Sequence, residues 1–223
     1  RAERERDLAR AVNVDAARSI AAAAAAAGAA CVYFSSDAVF AGTAERYAED
    51  DHPAPVNWYG QTKADGERAV REAHPSASIV RISLVLGFPV TDGNSFLAGL
   101  EKKLAAGLVV PSPTDEIRTP IDVATLSAAV LELCGTRFAG TIHLGATDSV
   151  DRFTMTRRAA EMLGFDAALV TAQQPALAGA VAGAIRAARH RRGVISVEKA
   201  RRLLSTPMMD WQEGLRRAIE TRR

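Results

Sequence analysis

Tyr59 and Lys63 lie four residues apart in the segment N-W-Y-G-Q-T-K, which we predict to open a helix after Asn57. Residues at this spacing share one helical face, so the phenol and the ammonium can address one bound molecule. The lysine charge should lower the tyrosine pKa below its free value of about 10. The pair predicts carbonyl reduction or proton transfer. An amphipathic helix with an exposed tyrosine and lysine is the alternative explanation of the spacing.

A second polar set, Ser35, Ser36 and Asp37, follows the continuous apolar run from Ala29 to Phe34. Such a run is typical of a buried strand in a parallel sheet. Ligands bind open α/β sheets beyond the carboxyl ends of the strands. We therefore expect these side chains at a ligand-binding edge. The alternative for Ser36 is a bond to a turn amide, and the alternative for Asp37 is a helix or turn cap.

Apolar periodicity and turn residues predict alternating helices and strands, which indicates an α/β fold. The helix that carries Tyr59 should run across Trp58–Ala73, with Asn57 as its N-cap and His74–Pro75 as its end. The other predicted helices are Leu8–Ala27, Ser95–Ala106, Ile121–Cys134, Thr154–Leu163, Ser196–Leu204 and Trp211–Ile219. The predicted strands are Ala29–Phe34, Ser78–Leu86 and Gly140–Leu144, the last of which should close the parallel sheet.

The composition excludes several classes of protein. The 223 residues carry 28 basic and 26 acidic side chains, so the net charge of +2 predicts no general attraction to nucleic acid or to anionic membranes. Neither a signal peptide nor a spanning helix is indicated. Cys31 and Cys134 do not suggest a disulfide framework, which favours a cytoplasmic location. The four histidines are too scattered to bind a metal, and we predict no metal site.

Several ordered motifs carry a resemblance to a known family. S-S-D-A-V-F-x-G begins at Ser35, and E-D-D-x-P-x-P-x-N-x-Y-G-x-T-K-x-x-G-E begins at Glu49. Shorter fragments agree at 12–14, 80–87, 92–96, 118–123 and 143–145. Together they resemble the extended short-chain dehydrogenase/reductase superfamily, and within it the sugar-nucleotide enzymes of the dTDP-4-dehydrorhamnose reductase branch. The likeness extends from about Ala9 to Gly145.

The resemblance implies an N-terminally truncated Rossmann-type parallel sheet with a small C-terminal α/β substrate lobe. The Rossmann-type part would comprise residues 1–87 and 119–147, and the lobe 88–118 and 148–223. This family begins with a strand and a glycine-rich turn that binds the cofactor pyrophosphate, and no such turn occurs here. We therefore expect a fragment. The alternatives are that another chain supplies the missing half or that this form does not bind the dinucleotide.

The resemblance also assigns roles to individual residues. Ser36, Tyr59, Lys63 and Asp37 match the catalytic positions. The residues implied to bind the cofactor, NADP or NAD, are Tyr59, Lys63, Ser35, Asn13 and Ser83. Those implied to face the sugar nucleotide are Asn94, Phe96 and Arg118. Plainer alternatives are a structural Ser35, a solvated Asn13 and an Arg118 in a surface salt bridge. Arg81 could be a structural ion-pair partner, and the basic cluster Arg186–Arg192 is either a phosphate contact or a solvated face.

The resemblance therefore implies NAD(P)-dependent reduction of a nucleotide-activated 4-keto sugar. The protein's binding partner would be the sugar-nucleotide substrate, and the resemblance is compatible with a homodimer. One alternative is a non-catalytic binding or regulatory subunit of the same fold, similar to the regulatory subunit of methionine adenosyltransferase. Another is a sugar-nucleotide epimerase or dehydratase.

Overall fold

The structure is a computed structural model that describes residues 2–91, 93, 95–174 and 190–222. Its helices are α1 (Arg6–Arg10), α2 (Ala17–Ala26), α3 (Trp58–Ala73), α4 (Phe96–Ala105), α5 (Val123–Thr136), α6 (Arg152–Met162), α7 (Glu198–Leu203) and α8 (Trp211–Glu220). Its strands are β1 (Val32–Ser36), β2 (Ser78–Ile82), β3 (Val85–Leu86), β4 (Val110–Pro113), β5 (Ile117–Arg118), β6 (Ile121–Asp122), β7 (Gly140–Leu144), β8 (Val150–Asp151), β9 (Val170–Gln173) and β10 (Arg192–Gly193).

A parallel sheet with the strand order β1-β2-β7 forms the centre of the structure. Its register sets Ser36 beside Ile82 and Ile82 beside Leu144, so the carboxyl ends of the three strands lie level with each other. Helix α3 makes the crossover from β1 to β2, as parallel pairing requires. The predicted α/β fold, with Gly140–Leu144 as the last strand of this sheet, is confirmed.

Helices cover both faces of the sheet, which explains why its strands are apolar without alternation. On one face, Ile79 of β2 packs in a cluster with Ala21 of α2 and Val70 of α3. On the other face, Val80 packs in a cluster with Leu133 of α5. Consecutive residues of one strand thus enter different cores, because side chains alternate across a strand.

A separate core joins α4, α6 and α8, in which Leu97, Met155 and Leu215 are fully buried. The short strands around it pair as β4 with β9, and as β10-β5-β8. These elements come from the ranges assigned to the substrate lobe. The proposed division into residues 1–87 with 119–147 and residues 88–118 with 148–223 stays a prediction.

Two helices begin and end almost where their caps predict. Helix α3 has the predicted bounds, because the Asn57 side chain accepts a bond from the Gly60 amide at 2.8 Å and the helix stops before His74. Helix α4 begins after Ser95, whose hydroxyl accepts from the Ala98 amide at 3.0 Å. Both are side-chain caps that satisfy free amides of the first turn.

Several predicted elements differ from the structure. The predicted strand Ala29–Phe34 begins later, at Val32, and extends to Ser36, so Ser35 and Ser36 lie within β1. The predicted strand Ser78–Leu86 is broken after Ile82, because β3 leaves the central sheet and pairs with β6. The predicted helix from Ile121 starts at Val123, where the Asp122 carboxylate caps it by accepting from the Thr125 amide at 2.9 Å. The predicted helix Leu8–Ala27 is interrupted at Ala11–Ala16, which form a π-helical turn.

Within the described residues, no helix combines the length and the apolar character needed to cross a bilayer. The same residues contain no cluster of three or more histidine, cysteine, aspartate or glutamate side chains that could hold a metal ion. Cys31 and Cys134 are both free thiols.

Candidate active site

The Ser36 and Tyr59 side chains meet at the carboxyl end of β1, where the serine hydroxyl acts to lower the pKa of the phenol. Ser36 ends the strand in an extended conformation, and its hydroxyl accepts from the Ala38 amide at 3.2 Å. The cap role suggested as the alternative for Ser36 is therefore present together with the contact to Tyr59. Tyr59 itself is 41% exposed, so its ring borders solvent.

The pKa of Tyr59 is raised, first by burial of its hydroxyl end and then by the charge of Asp37, while the Ser36 hydroxyl acts in the opposite direction. The expectation that Lys63 lowers this pKa is therefore wrong. The reason is geometric, because the Lys63 ammonium donates to the Phe34 carbonyl at 2.8 Å and not to the phenol. Tyr59 is consequently a protonated phenol at neutral pH.

Lys63 points towards β1 and lies over the Tyr33 ring, with Nζ 4.9 Å from the ring centroid. This distance is within the range of a cation–π interaction. Burial lowers the pKa of Lys63, and the charge of Glu67 one turn later raises it.

Asp37 is buried and holds the serine hydroxyl in place. Its Oδ1 accepts from Ser36 at 3.0 Å, and its Oδ2 lies 2.8 Å from the Ser83 hydroxyl and 3.7 Å from the Nε of Arg118. A β-carbon at Gly193 would lie 1.9 Å from Oδ2, so only glycine fits against this carboxylate. Asp37 thereby joins the end of β1 to β5 and β10.

Ser83 and Arg118, assigned to cofactor and substrate from the sequence, both make internal contacts. The Ser83 hydroxyl lies between Asp37 and the Gly193 carbonyl, which is 3.0 Å away. The Arg118 guanidinium donates at 2.8 Å to the carbonyls of Ile117, Arg191 and His190. A diphosphate contact would require Arg118 to leave these carbonyls, and both assignments stay predictions.

Ser35 belongs to a buried ion-pair network and faces away from Ser36. Its hydroxyl donates to Glu67 at 2.5 Å, and the Nε and Nη2 atoms of Arg81 bond the same carboxylate at 2.8 Å each. The exposed fractions of Glu67 and Arg81 are 1% and 2%. The structural alternatives considered for Ser35 and Arg81 are therefore the ones this geometry favours. Burial, followed by the charge of Arg81, lowers the pKa of the nearby His143 to about 3.

Asn13 connects the first helical segment to the helix that carries Tyr59. Its side-chain amide donates to the Thr62 hydroxyl at 2.9 Å, and that hydroxyl donates to the Tyr59 carbonyl at 2.9 Å. The backbone carbonyl of Asn13 accepts from the Tyr33 hydroxyl at 3.0 Å. The half-buried Asn13 thus connects the π-helical turn to α3 and β1 by hydrogen bonds, and the alternative of a solvated helical residue does not fit these bonds.

The remaining assignments lie in the lobe or outside the described residues. Phe96 lies beneath the guanidinium of Arg152, 4.5 Å from ring centroid to Cζ, and lines a cavity of about 380 Å³. Asn94 and residues 186–189 of the basic cluster lie outside the described residues. In the described part of that cluster, His190 is buried and Arg191 pairs with Asp115 at 2.9 Å.

Replacement of Gly66 by alanine should destabilise the protein by about 1–3 kcal/mol, because a side chain there forces a shift in packed neighbours. The added β-carbon would lie 2.2 Å from the Tyr33 hydroxyl and 2.3 Å from the Asn13 carbonyl. Gly99→Ala is the matched control, since Gly99 lies in α4 with nothing within 4 Å of its β-carbon position. Urea unfolding should show the control unchanged or stabilised by up to about 1 kcal/mol. Equal midpoints for both variants would contradict this packing argument.

The sequence analysis did not single out Tyr33, whose ring contacts Lys63, or Glu67, which bonds Ser35. The signal that could have indicated them was the pair of glycines, Gly60 and Gly66, inside the predicted helix α3. A glycine in a helix interior costs stability unless another chain segment approaches closely. Gly66 lies against Tyr33, and a β-carbon at Gly60 would lie 2.0 Å from the Ala38 carbonyl. Both glycines therefore bring α3 close to β1 and to the turn that follows it.

Comparison with known proteins gives consistent matches to sugar-nucleotide enzymes. The chain is 31% identical to dTDP-4-dehydrorhamnose reductase of Mycolicibacterium smegmatis over 223 residues, covering 98% of this chain and 66% of the relative. It is 33% identical to a crystal structure of dTDP-4-dehydrorhamnose reductase from Bacillus anthracis in complex with NADP. That superposition has a TM-score of 0.86 and covers 99% of this chain and 76% of the other.

A second kind of relative matches a shorter stretch. The chain is 49% identical over 85 residues to methionine adenosyltransferase 2 subunit beta of Pongo abelii, which is 38% of this chain and 25% of the relative. The chain thus spans less than two thirds of the length of these curated relatives.

The whole sequence, residues 1–223, matches the family described as the RmlD substrate binding domain. Together with the Rossmann-type architecture shared with the reductase structures, this match identifies the family. The chain belongs to the RmlD substrate-binding-domain family, within the extended short-chain dehydrogenase/reductase fold.

Proposed function

We propose that this chain carries the proton-transfer site of an NAD(P)-dependent reductase that acts on a nucleotide-activated 4-keto sugar. The observation that carries the proposal is the approach of the Ser36 hydroxyl to a protonated Tyr59 at the carboxyl end of β1, with Lys63 one helical turn along. Reduction of a ketone needs an acid that delivers a proton to the developing alkoxide. A phenol with a raised pKa meets that need at neutral pH.

Each residue has a defined task in this proposal. Tyr59 donates its proton to the carbonyl oxygen. The single hydroxyl proton of Ser36, which Asp37 accepts in this structure, turns to the same carbonyl oxygen when the substrate binds. Lys63 binds the ribose hydroxyls next to the nicotinamide. A bound NADPH or NADH supplies the hydride that reaches the keto carbon.

The residues present fit the nicotinamide end of such a cofactor. Tyr59 borders solvent, and the Lys63 ammonium, one helical turn along α3, bonds the Phe34 carbonyl of β1. The other residues assigned to the cofactor bond to protein groups: Ser35 to Glu67, Ser83 to Asp37 and Asn13 to Thr62 of α3. Tyr59 and Lys63 are therefore the two we expect to contact it directly.

The experiment measures oxidation of NADPH, and separately of NADH, by the protein at its full encoded length with a dTDP-4-keto-6-deoxy sugar. We expect turnover, and the preferred dinucleotide follows from the ratio of kcat/KM values. Absence of turnover with every nucleotide-activated keto sugar tested would overturn the proposal.

A non-catalytic regulatory subunit is the second candidate, and the 85-residue likeness to methionine adenosyltransferase 2 subunit beta favours it. Calorimetry separates the two functions, because a regulatory subunit would bind dinucleotide or a partner protein without consuming NADPH. An epimerase or dehydratase would interconvert sugars without net NADPH oxidation. The sugar contacts of Phe96 and Asn94, a homodimer and a cytoplasmic location stay predictions.

A further inference from the structure

Tyr33 of β1 lies between the π-helical turn and Lys63 of the candidate site. Its side chain is buried on the face of β1 that packs against α2 and α3. The hydroxyl donates to the Asn13 carbonyl at 3.0 Å, while the ring lies under the Lys63 ammonium at 4.9 Å. A single side chain therefore contacts both the π-helical turn and the lysine of the site.

The surroundings hold Tyr33 in one orientation. The absence of a side chain at Gly66 leaves room for the phenol, because a β-carbon there would come within 2.8 Å of Tyr33 Cζ. The π-helical turn at Ala11–Ala16 brings the Asn13 carbonyl to the hydroxyl. Burial, followed by the charges of Glu67 and Tyr59, raises the pKa of Tyr33, so the hydroxyl remains a donor.

Few other groups compete for the Lys63 ammonium. Glu67 lies one turn along α3, but its carboxylate is bonded to Arg81 and to Ser35. Among the described residues Lys63 forms no ion pair within 4.0 Å, and its bonded acceptor is the Phe34 carbonyl. The Tyr33 ring therefore favours the charged ammonium together with the Phe34 carbonyl and the charge of Glu67.

We infer that Tyr33 is a positioning residue for Lys63: its ring holds the ammonium at the end of β1, and its bond to the Asn13 carbonyl keeps the ring in place. A role of Tyr33 in catalysis rests on the proposed function. The effect of Tyr33 on Lys63 is measured without turnover, so the inference and the proposed function can fail independently.

The test is the pH dependence of acylation of Lys63 by acetic anhydride, followed peptide by peptide by mass spectrometry on the intact protein. In Tyr33→Leu the apolar bulk remains and the ring face is lost. We expect the midpoint of the acylation–pH curve of Lys63 to move to lower pH. The acylation rate of Lys63 at pH 8, divided by its maximal rate at high pH, should rise about three- to tenfold. Tyr33→Phe keeps the ring and loses only its bond to the Asn13 carbonyl, so its Lys63 midpoint should move clearly less than that of Tyr33→Leu.

Lys199 provides an internal control, because it also lies over a ring and donates to a strand carbonyl. Its Nζ is 5.6 Å from the Phe138 centroid and 2.7 Å from the Thr141 oxygen. The acylation midpoint of Lys199 should not change in Tyr33→Leu. In Phe138→Leu the midpoint of Lys199 should move and that of Lys63 should not.

An unchanged or upward Lys63 midpoint in Tyr33→Leu would overturn the inference, as would a shift in Tyr33→Phe as large as that in Tyr33→Leu. Tyr33→Met replaces Tyr33→Leu if circular dichroism shows the latter to be unfolded. A purely structural role for Tyr33 would change the unfolding midpoint of both variants without separating their Lys63 profiles.

Discussion

Replacement of Tyr59 by phenylalanine is expected to lower turnover of a nucleotide-activated 4-keto sugar about 100- to 10,000-fold, the usual contribution of a positioned acid. The substitution removes the phenolic hydroxyl with its proton and retains the ring. The measurement is kcat with saturating NADPH in the protein at its full encoded length. Unchanged turnover would refute the role of Tyr59 as the acid.

The control for this prediction is stability. Tyr59→Phe retains the ring, so the free energy of unfolding in urea should fall by about 1 kcal/mol or less, the net contribution of one hydrogen-bonding group. The pH profile gives a further check. Because the acid must be protonated and its pKa is raised, parent turnover should persist into the alkaline range and fall only as the pH passes that pKa.

Replacement of Glu67 by alanine is expected to destabilise the protein by about 3–5 kcal/mol, because it leaves a buried guanidinium without its counter-charge. Arg81 is 2% exposed and bonds both oxygens of the Glu67 carboxylate. Its Nη1 donates to the Glu49 carbonyl at 3.1 Å, which is a neutral acceptor and does not replace the lost charge. The measurement is the free energy of unfolding in urea at neutral pH.

The matched control is Glu72→Ala, in the last turns of the same helix. Glu72 pairs with Arg18 at 3.0 Å, but both side chains are more than half exposed, so the loss should be about 1 kcal/mol or less. The double variant Glu67→Met with Arg81→Met should recover most of the stability, since apolar side chains of similar volume often replace a buried pair. Equal losses from Glu67→Ala and Glu72→Ala would contradict the argument.

The network of Glu67 and Arg81 also has a consequence for the site. Glu67 lies one turn after Lys63, and Ser35 lies immediately before Ser36. The bonds among Ser35, Glu67 and Arg81 therefore fasten α3 to β1 and β2 next to the meeting point of Ser36 and Tyr59. A buried bidentate pair defines the position of a helix more narrowly than apolar contacts do.

The sequence alone determined the features that depend on near neighbours. Helix α3 has its predicted bounds, because Asn57 caps its own helix and His74–Pro75 ends it. The continuous apolar run before Ser35 indicated a buried strand, and the four-residue spacing of Tyr59 and Lys63 puts both on one face of α3. The parallel sheet follows from the alternation of strands and helices, and the motifs around Ser35 and Glu49 indicated the family.

The tertiary structure alone decided where each polar group finds its partner. Ser83 meets the Gly193 carbonyl across 110 positions, and Arg118 meets His190 across 72. The sign of the Tyr59 pKa shift also depends on such contacts, because the Phe34 carbonyl and the Tyr33 ring take up the Lys63 ammonium. Local propensity describes a residue and its neighbours within a few positions. Charges and hydrogen bonds depend on distance in space, which only the packed chain defines.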